Sequence, residues 1–165
     1  MAFKYRDYVA HAITFFVEGE EGRNTWEDWR IVPTSRPTVA APNPKYNFVQ
    51  IPGSSFIADL TEVLAGEPTY EPREGTFEFA VINKQQWQFV YETILNYLQG
   101  KRCRFVLADD PGYYYEGRCH VETYEPGANY SNVTIHYNVQ PFKYRKTYSL
   151  DGWTYDATEE KDGIL

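Results

Sequence analysis

Cysteine is nearly absent: only Cys103 and Cys119 occur, too few for the disulfide framework of a small secreted scaffold or for a four-thiolate zinc site. No G-x-G-x-x-G, P-loop, G-x-S-x-G, H-E-x-x-H or C-x-x-C string is present. The common templates for dinucleotide, phosphate, serine-nucleophile, zinc and dithiol chemistry are therefore missing. No stretch approaches the ~18 to 20 uninterrupted apolar residues of a membrane helix, and the first residues form no apolar leader. A soluble protein made without a signal peptide is expected. Positive charge is in deficit, with 16 Lys and Arg against 23 Asp and Glu and a formal charge of −7. Without a basic block, the chain lacks the means to displace counterions from a phosphate backbone.

Aromatic side chains are plentiful: Tyr 15, Phe 10 and Trp 4 make up 18% of the 165 residues. That is enough apolar area for one sizeable core, with rings left for an interface, and it excludes a disordered chain. The length fits one domain.

Periodicity supplies the elements. Ile13, Phe15 and Val17 share one side of a strand, broken by Glu18, Gly19, Glu20, Glu21 and Gly22. A second cluster, Trp26 to Val32, runs into Pro33, Pro37, Pro42 and Pro44, whose fixed φ and missing N–H groups exclude helix and central strand and predict an extended arm over 33–45. YNFVQI (46–51) predicts a strand. DLTEVLA (59–65) predicts about two helical turns, capped by Asp59 and stopped by Gly66. Phe77, Phe79 and Val81 alternate as a strand. Trp87, Val90, Tyr91, Ile94 and Leu98 then follow one helix face, ended by Gly100. A three-strand meander follows. Cys103 opposite Cys119, Phe105 opposite Gly117 and Leu107 opposite Tyr115 would put every apolar position on one side. In the third strand Val133, Ile135, Tyr137 and Val139 face the core, and Asn132, Thr134, His136, Asn138 and Gln140 face away. From residue 146 onward no period survives, and a flexible or partner-ordered tail is expected.

Each candidate for chemistry has a structural counterpart. His120 and His136 fall on the polar sheet face with Arg102, Arg104, Glu116 and Glu122, as a metal or general-base site would require; surface histidines on a solvated sheet face are the favoured reading. Cys103 and Cys119 read as reduced thiols packed in a sheet core. Asp109 with Asp110, and Glu20 with Glu21, have the look of turn residues more than of cation ligands or acid–base pairs. Tyr113, Tyr114, Tyr115 and Tyr124 could build a platform for a sugar ring or a subunit interface.

In order along the chain, NTWEDWRIVPTSRP, IPG, DLTEVLAG, YEPREGTFEF, the Trp87 helix with its LQGKR ending, LADDPGYYYEGR and YSNVTIHYNVQPFKY resemble the distal tail protein family of long-tailed, non-contractile bacteriophages. The resemblance spans roughly residues 5–145. It implies a mainly β fold, a β-sandwich with one packed α-helix and a long β-hairpin, like the tail-tube-related N-terminal domain of that family. The expected organisation is one domain over 1–145 and a tail over 146–165.

The resemblance also implies a phage or prophage virion structural protein and not an enzyme, without cofactor or metal. Members are usually hexameric rings that join the tail tube to the baseplate or tip, so the implied partners are copies of the chain, the tail-tube protein and baseplate or tip proteins. The implied location is the virion tail, assembled in the bacterial host cytoplasm, with DNA passing the channel without specific binding and no membrane. Head-to-tail contacts that close a ring commonly use extended arms and added strands. The interface candidates are accordingly Pro33, Pro37, Pro42 and Pro44 in the arm and Asp109, Asp110, Tyr113 and Tyr114 in the hairpin. Carboxylates lining a channel hold phosphates off its wall, which makes Glu18, Glu20 and Glu21 the candidates there. The alternative is a carbohydrate-binding β-sandwich module in host recognition, with Tyr114, Tyr124 and a tryptophan on one exposed face.

Overall fold

Strict alternation of apolar and polar residues decides most of the architecture, because it gives each strand one face that must leave water. The structure is a computed structural model and describes residues 5–145; the expected tail at 146–165 lies outside the described residues. A short 3-10 turn, Arg6–His11, precedes β1 (Ile13–Val17), β2 (Arg23–Asn24) and β3 (Ile31–Pro33). Then come β4 (Phe48–Gln50), β5 (Ile57–Asp59), β6 (Arg73–Val81) and α1 (Trp87–Leu98). Four strands complete the order: β7 (Arg102–Leu107), β8 (Tyr113–Val121), β9 (Ser131–Val139) and β10 (Tyr144–Arg145).

All pairings are antiparallel, in the order β2-β1-β7-β8-β9-β6-β3, with β10 added beside the start of β8 and β4-β5 forming a separate two-stranded sheet. The main sheet curls over on itself. Phe77 of β6 and Phe105 of β7 lie three strands apart along the path, ~14 Å in a flat sheet, yet their ring centroids are 5.4 Å apart. Phe105 also meets Phe15, Tyr115 and Tyr137, so one ring of β7 is tied to four other strands. This mainly β, one-helix architecture is the fold class implied by the resemblance.

The helix forms where the 3.6-residue period indicates, and it buries Val90, Ile94, Tyr97 and Leu98. Gly100, at φ 68°, ends it, and its N–H donates to Cys119 O. Trp87 is only partly buried and donates from Nε1 to Val81 O. Tyr97 carries more than its apolar ring: its hydroxyl lies 2.7 Å from Glu21 O and accepts from Val17 N–H, which locks α1 to the β1–β2 corner.

Three local expectations are corrected. In the β7–β8 hairpin Cys103 faces Gly117 and Phe105 faces Tyr115, two residues from the expected register. Hydrogen bonds from Asp110 N to Leu107 O and from Tyr113 N to Asp110 O close the turn early, and a slip of two preserves every face. Residues 59–65 form no helix: Asp59 does cap Thr61 N–H, and Gly66 N–H does reach Glu62 O. With Val63 and Leu64 exposed, however, no packing face extends that single turn. Finally, Pro33 is not part of an arm; it is the buried last residue of β3, opposite Phe79. Proline is tolerated there because β3 is an edge strand.

Candidate functional site

Between β3 and β6 the chain leaves the sheet and returns as one long, irregular hairpin. Its legs pair at Pro44 and Tyr70 and through Lys45 N to Thr69 O and Glu71 N to Asn43 O. Further out β4 and β5 pair, Phe48 with Asp59, Val49 with Ala58 and Gln50 with Ile57. The seven-residue stretch 59–65 bulges from the returning leg. The Pro-rich segment is thus one leg of a hairpin, with Pro37 and Pro42 half-buried and Pro44 exposed.

The hairpin's outer part has no core to enter. Tyr46, Phe48, Val49 and Ile51 are exposed on one leg, and Phe56, Ile57, Leu60, Val63 and Leu64 on the other. Leu64 is 98% exposed. Apart from Phe89 on α1, every large exposed apolar side chain among the described residues is in this hairpin. Such clustering, unlike scattered surface leucines, marks a contact surface. The two short strands also leave both edges open for a further strand. Sequence reasoning saw a strand and a helix here but missed the surface. The only available signal was an apolar stretch set off from the core pattern by four prolines.

The hairpin's root is tied to the body. Thr34 N–H donates to Glu78 O, and Ala40 N–H donates to the Tyr137 hydroxyl, at 2.9 Å. Burial pushes the Tyr137 hydroxyl's pKa above its ordinary value. Arg73, buried under the root, donates from Nε to Pro141 O at 2.7 Å and from Nη1 to Ala40 O at 3.4 Å, with its guanidinium over the Tyr115 ring.

The β7–β8 turn lies at the same root. Asp109 Oδ1 is 2.7 Å from His11 Nδ1, and Oδ2 accepts from Arg36 Nε at 2.9 Å. The Arg36 bond, aided by His11, holds the Asp109 carboxyl below the ordinary aspartate range. Asp110 pairs with Lys143 Nζ, which also sits over the Tyr113 ring. Both candidate interface carboxylates are therefore engaged within the chain. Tyr114 is 7% exposed, stacked on Tyr144 and covered by the Arg104 guanidinium. Tyr124 packs instead on Tyr91 of α1. Of the two tyrosines expected on one exposed sugar-binding face, Tyr114 is thus buried and Tyr124 half-buried, each against a different neighbour.

Glu18, Glu20 and Glu21 are exposed on the β1–β2 connection. Glu20 accepts from Lys101 Nζ at 2.8 Å and borders a groove of about 440 Å³ with Arg23, Asp28, Trp29 and Tyr97. The remaining candidates have partners within the sheet. His120 and His136 stack face to face with centroids 4.6 Å apart, and His136 Nε2 lies 2.5 Å from Glu122 Oε1. Glu116 bridges Arg102 and Arg104. Cys103 and Cys119 are buried and free. The hydrogen bond between them, with burial, pushes the Cys119 thiol up, which keeps it protonated and unreactive. Among the described residues no group of three or more His, Cys, Asp or Glu is placed to hold a metal ion, and no helix is long and apolar enough to cross a membrane.

No family model and no curated protein matches the chain. Among solved structures it is similar to the SPP1 Dit (gp 19.1) protein, described as a paradigm of the hub adsorption apparatus in phages infecting Gram-positive bacteria. The identity is 18% and the TM-score 0.54, over 81% of this chain and 52% of that one. The likeness is one of fold, and this chain spans about half the length of that protein.

Proposed function

We propose that this chain is a structural component of a phage tail that closes a ring with copies of itself at the tail's distal end and joins tube to baseplate or tip, without catalysing a reaction. One observation carries the reading: a fold shared with a phage hub protein projects a hairpin whose apolar side chains are concentrated outside its own core. A neighbouring copy that covers Phe48, Ile57 and Leu64 would remove that surface from water, each large side chain contributing ~1.5 to 3 kcal/mol on full burial. A head-to-tail contact of this kind closes when its rotation divides the circle; a ring of six is the proposed count. Exposed acids such as Glu18 and Glu21 would suit a channel wall past which DNA slides.

Light scattering and negative-stain imaging of the purified protein test this directly. Rings or higher oligomers are expected for the natural sequence, and monomers for a Phe48→Glu, Leu64→Glu double variant with an unchanged melting midpoint. A variant that assembles like the natural protein would remove the hairpin from the interface. A natural chain that stays monomeric, alone and with a tail-tube protein present, would end the ring reading.

A further inference from the structure

The hairpin leaves the body through a narrow neck, and one side chain there connects three parts of the chain that are distant in sequence. Asp109 offers one carboxylate oxygen to Arg36, four residues before the neck's last tie at Ala40, and the other to His11 of the N-terminal turn. Each oxygen is committed to a different partner, so moving the hairpin's first leg away from the β7–β8 turn breaks a charge-assisted bond. Among the described residues the outer strands have no comparable tie: β4 and β5 bond to each other, Asp59 accepts from Thr61 N–H, and Asn47 N–H donates to Thr61 Oγ1, all within the hairpin. The hairpin is thus a lever, and its angle is decided at the root.

We infer that Asp109 is a positioning residue for the hairpin, its carboxylate holding Arg36 and His11 together so that the apolar lever leaves the body in one direction. The fixed direction lowers the ordering cost of any docking event, since a preset geometry loses less freedom on binding. Asp110, its neighbour, has a different task, because its partner Lys143 belongs to the segment leading into β10 and not to the hairpin. The inference concerns a single copy and stands whether or not copies form a ring.

Hydrogen exchange read by mass spectrometry on the full chain tests it, with the amides of Thr34 and Ala40 as reporters because both are hydrogen-bonded to the body. Asp109→Asn and Arg36→Gln should each speed exchange across residues 34–45 about two- to five-fold, the range for losing one exposed ion pair. Peptides from β8, β9 and α1 should be unchanged. The double variant should exchange no faster than Asp109→Asn alone, since that substitution already removes the bond that Arg36→Gln removes. Asp110→Asn serves as the control and should leave 34–45 at the natural rate. Unchanged exchange at 34–45 in Asp109→Asn, equal acceleration throughout the body, or additive effects in the double variant would each overturn the assignment.

Discussion

Thr25 is a polar side chain with no exposed surface, and its position explains why the sheet keeps its curl. Its N–H donates to Ile13 O, its carbonyl accepts from Ile31 N–H, and its Oγ1 accepts from Ile13 N–H at 3.0 Å. Ile13 lies near one end of the strand path and Ile31 at the other, so a single residue outside both strands bridges the two ends. Removing the hydroxyl while keeping the shape leaves a buried Ile13 N–H unpaired, which costs ~1 to 3 kcal/mol. Thr25→Val should therefore lower the unfolding free energy read from urea denaturation by that amount, whereas Thr25→Ser, which keeps the oxygen, should lose much less. Equal losses for both would show that the methyl group, not the hydroxyl, holds the ends together. Nothing in the sequence singles out Thr25. Its role depends on two strands that are neighbours only after the sheet has curled, and a local pattern carries no such information.

Helix α1 offers the cleanest contrast between two faces of one element. Ile94 has no exposed surface, while Phe89, five residues earlier, is 65% exposed. Ile94→Ala should cost ~2 to 5 kcal/mol as a buried aliphatic truncation, and Phe89→Ala should stay within ~0.5 kcal/mol, both read from chemical denaturation. A large loss at Phe89 would mean that its ring is covered by something outside the described residues. This helix was legible because five apolar positions repeat at helical spacing and a glycine stops them. The meander was legible by face, since alternation fixes which side each residue takes, but not by register, since a slip of two leaves the same pattern. DLTEVLA shows the opposite failure. Its capping chemistry at Asp59 and Gly66 is present as read, yet capping cannot propagate a helix whose Val63 and Leu64 find nothing to pack against. The exposed hairpin was illegible as a surface for a related reason: YNFVQI reads the same whether its apolar residues enter a core or leave it. Asp109 and Asp110 were picked out as turn residues, but their partners His11, Arg36 and Lys143 come from distant segments and could not be named beforehand.

Across the whole molecule, electrostatics and apolar burial pull assembly in opposite directions. Each copy carries a formal charge of −7, so bringing copies together is opposed by like charge. Asp109, Asp110 and Glu116 already hold cations of their own chain. On the ring reading proposed above, the favourable term comes from the hairpin's apolar surface, which salt does not screen. Raising sodium chloride from about 0.02 to 0.5 M shortens the screening length from ~20 to ~4 Å. It should therefore weaken the repulsion, leave the attraction intact and shift the population toward the proposed ring. Sedimentation velocity at fixed protein concentration reads this as a larger fraction of fast-moving species at high salt. Dissociation by salt would instead mean that intermolecular ion pairs hold the copies together. The contact would then have to be sought among exposed charges such as Glu18, Glu21, Arg118 and Arg145, not on the hairpin.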